Sequence, residues 1–252
     1  MPRLLDNLDA DAVAQLRGKT ERIGVAIQTG PSFGGSSGQP TGSPSSIKRA
    51  DRNAQSMPSG WSTERDVSRM STSSTLLPVR SQSERRRIAV DTCLRSTSNP
   101  AVYVCGDAVA ETAQLSPIAT YEGRIVGRNV VDGAKHTPDY ASIPACVFTV
   151  PVLASVGLTQ ADAEVKGLEF RVAVNDMRAW LSIRTDAERE AWAKVVIDKR
   201  TDRVIGAHLV GHAREDLIHI FALAIKHGFT AGDLGDLVYG FSTFSADIKS
   251  ML

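Results

Sequence analysis

This 252-residue chain has few cysteines, few aromatics and no long apolar run, and each shortage excludes something. Cys93, Cys105 and Cys146 are an odd set of three and form neither a C-x-x-C nor a C-x4-C pair. That argues against a disulfide scaffold or a local dithiol centre, and makes a reducing cytoplasm the expected compartment. No stretch is apolar enough to cross a bilayer, and the N-terminus lacks a signal peptide's apolar core. Gly-x-Gly-x-x-Gly, the turn that cradles a dinucleotide pyrophosphate, is absent. So is His-Glu-x-x-His. His208, His212 and His219 have no thiolate nearby to complete a soft metal site, and they read as structural or surface groups. The expectation is no metal and, within these residues, no catalytic group. A net charge of +1 offers no polyanion-binding character, so neither a nucleic acid nor a membrane is an expected partner. The charge is uneven, however: residues 1–90 hold 13 Lys and Arg against 8 Asp and Glu, and residues 91–252 hold 16 against 20. Much of the positive excess comes from Arg85-Arg86-Arg87, which reads as a solvated loop.

What is present falls into distinct stretches. Residues 1–30 read as a helix followed by a strand. Asp9 caps a helix with Ala12, Val13, Leu16 and Ile23 on its apolar side, Gly24 stops it, and Val25–Ile27 follows as a short buried strand. Residues 31–83 are rich in Ser, Gly, Pro and Arg without useful periodicity, and read as irregular low-complexity chain. Gly34-Gly35-Ser-Ser-Gly38 lacks the following Lys-Ser/Thr and close preceding strand of a phosphate loop. A loss of reading frame near Thr29, regained near Ser83, would account for the abrupt return of patterned sequence at Arg86. Translating the other frames of the gene tests this.

Residues 84–252 are organised. Ile88–Val90 and Ala101–Cys105 read as strands, and Pro117–Val131 as a helix with Ile118, Tyr121, Ile125 and Val126 on one side. A second module starts in Ile143–Thr149. Its strands are expected at Ser155–Leu158, Phe170–Asn175, Ala193–Asp198 and Val204–Leu209, with Asp202 in the last hairpin turn. A capped helix begins near Thr159. A longer one over 213–227 carries Leu217, Ile218, Phe221, Ala222 and Ile225 as its apolar stripe, and Gly228 ends it.

The richest stretch is Asn99-Pro-Ala-Val-Tyr-Val-Cys-Gly-Asp107, followed by Leu115-Ser-Pro-Ile-Ala119 and Glu122-Gly-Arg124. A short apolar segment running into Gly-Asp and then a Pro-marked helix start is the layout of a turn and one carboxylate meeting a polar ligand. The stretch resembles the second flavin-binding motif of the class I pyridine nucleotide–disulfide oxidoreductases, the family of dihydrolipoamide dehydrogenase, glutathione reductase and mercuric reductase. The likeness continues through Val147-Phe-Thr149, Ser155-Val-Gly-Leu-Thr159 and Ile205-Gly-Ala-His208 to Leu252.

The resemblance implies an α+β C-terminal interface (dimerisation) domain with an antiparallel sheet over residues 141–252. It implies the C-terminal part of an FAD-binding domain over 84–140, and a remnant of an NAD(P)-binding domain over 1–30. The last two are fragments of α/β nucleotide-binding domains. The resemblance also implies FAD contacts at Gly106, Asp107, Leu115, Ser116, Pro117 and Ala119, with Asp107 accepting from a flavin ribityl hydroxyl. The implied enzyme is an FAD-dependent NAD(P)H oxidoreductase, N-terminally incomplete, holding a partial FAD site and little of the NAD(P)H site, and inactive alone. A non-catalytic dimerisation module or decayed gene product is the alternative. Where many relatives have His-Pro-Thr and then Ser-Glu, this chain has Phe241, Thr243 and Ala246, so the His-dependent dithiol chemistry is not expected. The family also implies a homodimer, with Phe148, Val150, Leu153, Phe221, Tyr239, Phe241 and Phe244 as candidates for the shared face.

Overall fold

The computed structural model describes residues 4–27, 29, 83–84, 87–110 and 112–252, with Ser83, Glu84 and Arg87 as backbone only. Expectations for residues 31–82 lie outside the described residues. Two compact units emerge, one within Ser56–Tyr140 and one combining residues of Met1–Gln55 with Ala141–Leu252. Helix α1 (Ala10–Arg22) belongs to the latter. The former carries a short antiparallel pair, β1 (Ser83–Glu84) and β2 (Arg87–Ile88), and helix α2 (Ser116–Asp132).

In the Ser56–Tyr140 unit, Ile88, Leu94, Val104, Val109 and Ile125 form a small core. The strand expected over Ala101–Cys105 is not continuous: a single antiparallel bridge joins Tyr103 to Arg95. Leu94 has a φ of 62°, which breaks the partner segment, and the Val102 amide turns back onto the Asn99 carbonyl. Likewise Ile88–Val90 is strand only at Ile88, with Val90 bridging Ser96.

The second unit is built on a five-stranded antiparallel sheet in the order β3-β4-β7-β6-β5. The strands are β3 (Ala145–Val147), β4 (Val152–Gly157), β5 (Phe170–Asp176), β6 (Trp192–Asp198) and β7 (Val204–Gly211). Period-two alternation decides what each face meets. Ala154, Val156, Ala193, Val195, Ala207 and Leu209 enter the main core with Leu217, Ile218 and Phe221 of helix α5 (Arg214–His227). Gly228 ends α5 at a φ of 69°, as its position requires. Asp202, at a φ of 54°, sits in the hairpin between β6 and β7. Short helices α3 (Gln160–Val165), α4 (Leu181–Thr185), α6 (Ala231–Asp236) and α7 (Ile248–Met251) fill the connections and the C-terminus. Thr159 and Thr230 each close a full capping box, with Asp162 and Asp233.

Helix α1 lies on the opposite sheet face. Asp9 caps it as expected, and Leu8, Ala12, Val13 and Leu16 meet Leu153, Trp192 and Val210. Ile23 is 62% exposed rather than part of the apolar side, because it falls at the C-cap where the chain has left the sheet. Val25–Ile27 pairs with no strand among the described residues; the Val25 amide instead bonds the Thr20 carbonyl, extending the helix end. The candidate pairing residues also divide. Leu153 and Phe221 are fully buried in the cores, and Tyr239 and Phe244 are partly covered. Phe148 (79%), Val150 (85%) and Phe241 (86%) remain exposed.

Candidate functional site

The candidate ligand turn begins where Cys105, in extended backbone, gives way to the 3-10 turn Gly106–Ala108. Gly106 is buried with a φ of 67°, and a Cβ there would stand 3.0 Å from the Ala119 Cβ. Glycine is therefore required twice, by backbone conformation and by close approach to α2. Asp107 is exposed immediately beside it. Leu115 is the N-cap of α2, and its carbonyl accepts the amides of Ile118 and Ala119 at 2.9 and 3.1 Å. Ser116 and Pro117 open the helix and are exposed, with proline at a position where its missing N–H is no loss. Gly106 and Ala119 are thus brought into direct apposition, with Asp107, Ser116 and Pro117 at the surface of the same unit. The first-turn amides of a 17-residue helix supply a positive end without side-chain caps or carboxylates.

Two groups hold this region in roles that the sequence reading did not assign. Glu122 is fully buried; its Oε2 accepts the Gly106 amide at 2.6 Å and its Oε1 accepts the Tyr140 hydroxyl at 2.7 Å. Burial and then this bond to Glu122 push the Tyr140 hydroxyl's pKa up, and burial and the same carboxylate push the Cys105 thiol up. Asn129 is equally buried: its amide donates to the carbonyls of Cys93 and His136, and its carbonyl accepts the amides of Lys135 and His136. The signal was there. Ile118, Glu122, Ile125 and Asn129 follow at steps of four, three and four, so two polar residues stand on the buried stripe of α2.

The histidines behave as structural and surface groups. His208 is buried beneath α1's face of the sheet; its Nε2 meets the Leu158 carbonyl at 3.2 Å and its Nδ1 meets Ser155 Oγ at 2.7 Å. Since a carbonyl can only accept, Nε2 carries the proton and Nδ1 accepts from the serine. Desolvation holds the His208 pKa below its usual value, which agrees with a neutral ring. His212 and His219 are exposed. No group of three or more His, Cys, Asp or Glu among the described residues is placed to hold a metal. Nor is any helix among them long and apolar enough to cross a membrane.

At the C-terminal end, Arg214 is wholly buried with no hydrogen-bond partner for its three guanidinium nitrogens among the described residues. It lies 5.2 Å from the centre of the Phe244 ring. Burial lowers its pKa, and the carboxylates of Asp247, Glu188 and Glu215 oppose that. Tyr239 donates to the Leu234 carbonyl at 3.0 Å, and Thr243 to the Gly240 carbonyl at 2.7 Å.

In chain order, a turn that presses a positive-φ glycine onto the start of a helix is followed by a five-stranded antiparallel sheet. The chain belongs to the class I pyridine nucleotide–disulfide oxidoreductase family, represented here by that portion. Residues 143–252 match the family model for the pyridine nucleotide–disulphide oxidoreductase dimerisation domain. An uncharacterized 19.7 kDa protein in a mercuric resistance operon of Staphylococcus aureus is 35% identical over 172 residues, 67% of this chain and 96% of that protein. The mercuric reductase of Bacillus cereus is 33% identical over 165 residues, which is 66% of this chain but only 26% of the reductase. Among solved structures, LpdA from Mycobacterium tuberculosis shares the fold with a TM-score of 0.65 at 22% identity, over 72% of this chain and 39% of that one. This chain thus spans about a quarter of the mercuric reductase it matches and nearly all of the small operon protein.

Proposed function

We propose that this chain supplies the second flavin contact and the dimerisation platform of an FAD-dependent NAD(P)H oxidoreductase. The observation that carries the reading is the apposition of Gly106 to Ala119, which leaves Asp107 exposed beside the amide end of α2. A carboxylate there accepts from a ribityl hydroxyl, and the helix end stabilises electron density on the flavin edge. The sequence has no Gly-x-Gly-x-x-Gly for a pyrophosphate and no C-x4-C pair, and its three cysteines are free. A helix end and one carboxylate are a small part of the binding energy of so large a cofactor.

The 252-residue chain is therefore expected to bind FAD only weakly, at millimolar concentrations, and to show no NAD(P)H-dependent disulfide reduction. NAD(P)H oxidation assayed with added FAD and a disulfide checks this, and turnover by chain free of any full-length relative overturns it. The three cysteines, all free, suit a reducing cytoplasm, and that is the compartment proposed.

The second reading is a stand-alone, non-catalytic dimerisation module. The S. aureus protein, covered over 96% of its length, favours it. Added FAD at millimolar concentration separates the two, since only the first reading gives a flavin contact that shifts the Asp107 amide resonance.

Under either reading the chain pairs as a homodimer. Phe148, Val150 and Phe241 are large apolar groups left in water, and an obligate interface buries more than about 2,000 Å² around such anchors. Sedimentation at tens of micromolar should give a dimer. Phe148→Asp with Phe241→Asp should give a monomer with unchanged circular dichroism, because neither side chain is in a core. A monomeric unmodified chain with native circular dichroism would contradict the pairing.

A further inference from the structure

Among the described residues of the Ser56–Tyr140 unit one carboxylate, Glu122, is completely buried, and nothing assigned so far uses it. Glu122 sits on the inner stripe of α2, one turn beyond the Ala119 that abuts Gly106. Its two oxygens have different partners: the Gly106 amide on one and the Tyr140 hydroxyl on the other. An ionised carboxylate is expensive to bury unless fully hydrogen-bonded, and both bonds here are short and charge-assisted. The amide it holds belongs to the residue whose positive φ aims Asp107 outward. A plain structural strap between α2 and the segment ending at Tyr140 would need only the second bond.

We infer that Glu122 is the positioning residue of the Gly106–Asp107 turn: its carboxylate anchors the Gly106 peptide so that Asp107 is pre-set toward the ligand. The inference rests on the flavin reading proposed above. Tyr140 completes the carboxylate's hydrogen bonding and saturates the oxygen facing away from the turn. A second residue strengthens the staple, as the Tyr121 hydroxyl accepts the Asp139 amide at 2.8 Å. The turn is thereby fixed before any ligand arrives, which removes an ordering penalty from binding.

The test uses the full 252-residue chain labelled with 15N, its amide resonances assigned, and FAD added to millimolar levels as the probe. In Glu122→Gln the neutral amide oxygen is a weaker acceptor, so the Gly106 amide proton should move upfield, and further still in Glu122→Leu. The FAD concentration needed to shift the Asp107 amide should rise about tenfold in Glu122→Gln, the loss expected for a charge-assisted bond. Tyr140→Phe removes the strap alone; it should lower the melting temperature while leaving the Gly106 resonance and the FAD response in place. An unmoved Gly106 amide in Glu122→Gln overturns the inference, as does an equal loss of FAD response in Tyr140→Phe. If FAD does not shift Asp107 even in the unmodified chain, the flavin reading fails, and the Gly106 resonance still decides whether Glu122 sets the turn.

Discussion

Gly206→Ala should destabilise the sheet-based unit by about 3 kcal/mol or more, one of the larger effects a single methyl can have. Gly206 lies in β7 between β4 and β6, paired with Gly157 on one side and Val196 on the other. A Cβ at this position would stand 2.0 Å from the Leu158 carbonyl oxygen. The obstacle is backbone, so no rotamer change relieves it. The Leu158 peptide cannot retreat either, because its amide donates to the Ile205 carbonyl at 2.8 Å. Gly127 makes the matched control. It is exposed in the middle of α2, with nothing within 4 Å of an added Cβ. There the substitution should stabilise by roughly 0.5–1 kcal/mol, through helix propensity alone. Urea melts of both variants followed by circular dichroism check the pair. A mild Gly206→Ala would mean that β7 and the β4–α3 connection are looser than their hydrogen bonds indicate.

Removing Asp9 should detach α1 from the sheet. Lys194 is 2% exposed in β6, and its ammonium bonds both Asp9 oxygens at 3.1 and 3.3 Å and Asp11 at 2.7 Å. Asp9, 3% exposed, also caps α1 through the amides of Asp11 and Ala12. Asp9→Ala therefore removes a cap and strands a buried cation with only the exposed Asp11 to balance it, a loss of about 3–5 kcal/mol. Asp9→Asn with Lys194→Met keeps the cap and leaves an apolar side chain opposite Val174 and the neutral His208, so it should recover most of that loss. The pH dependence has a definite sign. Burial alone would raise the Asp9 pKa, but the Lys194 ammonium and the Ala12 amide outweigh it and hold it below its usual 3.8. A carboxyl depressed on folding contributes stability that is complete above the unfolded value and lost as pH falls through the folded one. Acid unfolding of the native chain should show this loss below about pH 4, and the double variant should lack it.

The legible parts of the sequence were those in which one local rule acts alone. Thr159 with Asp162, Gly228 after an apolar stripe and the β-branched run Val195–Ile197 within Ala193–Asp198 each give an element directly, and each element is present. The illegible parts depend on distant partners. Ala101–Cys105 has strand composition, yet it bridges only at Tyr103, because the opposing segment takes a positive φ at Leu94 that its own residue type does not announce. Val25–Ile27 is apolar enough for a strand but has no described neighbour to pair with. Lys194 occupies a register position that should be apolar, and only the docking of α1 reveals why a charge is tolerated there. Of the candidate site, Gly106 and Ala119 were named through the family resemblance, whereas their apposition and the burial of Glu122 depend on tertiary packing that no local rule gives.

In the homodimer proposed above, the clasp around Arg214 would bear on the speed with which the two chains meet. Phe241 protrudes, but the chain is tied down before it by Tyr239 on the Leu234 carbonyl. After it, Thr243 is tied to Gly240 and Phe244 lies against the buried guanidinium. Such a prong is a stiff key with no wards left to cut. Little configurational freedom remains to be surrendered at the encounter, so association is governed by diffusion and orientation rather than by loop ordering. Loosening Phe244 would lower the rate of pairing even though Phe241 itself were untouched.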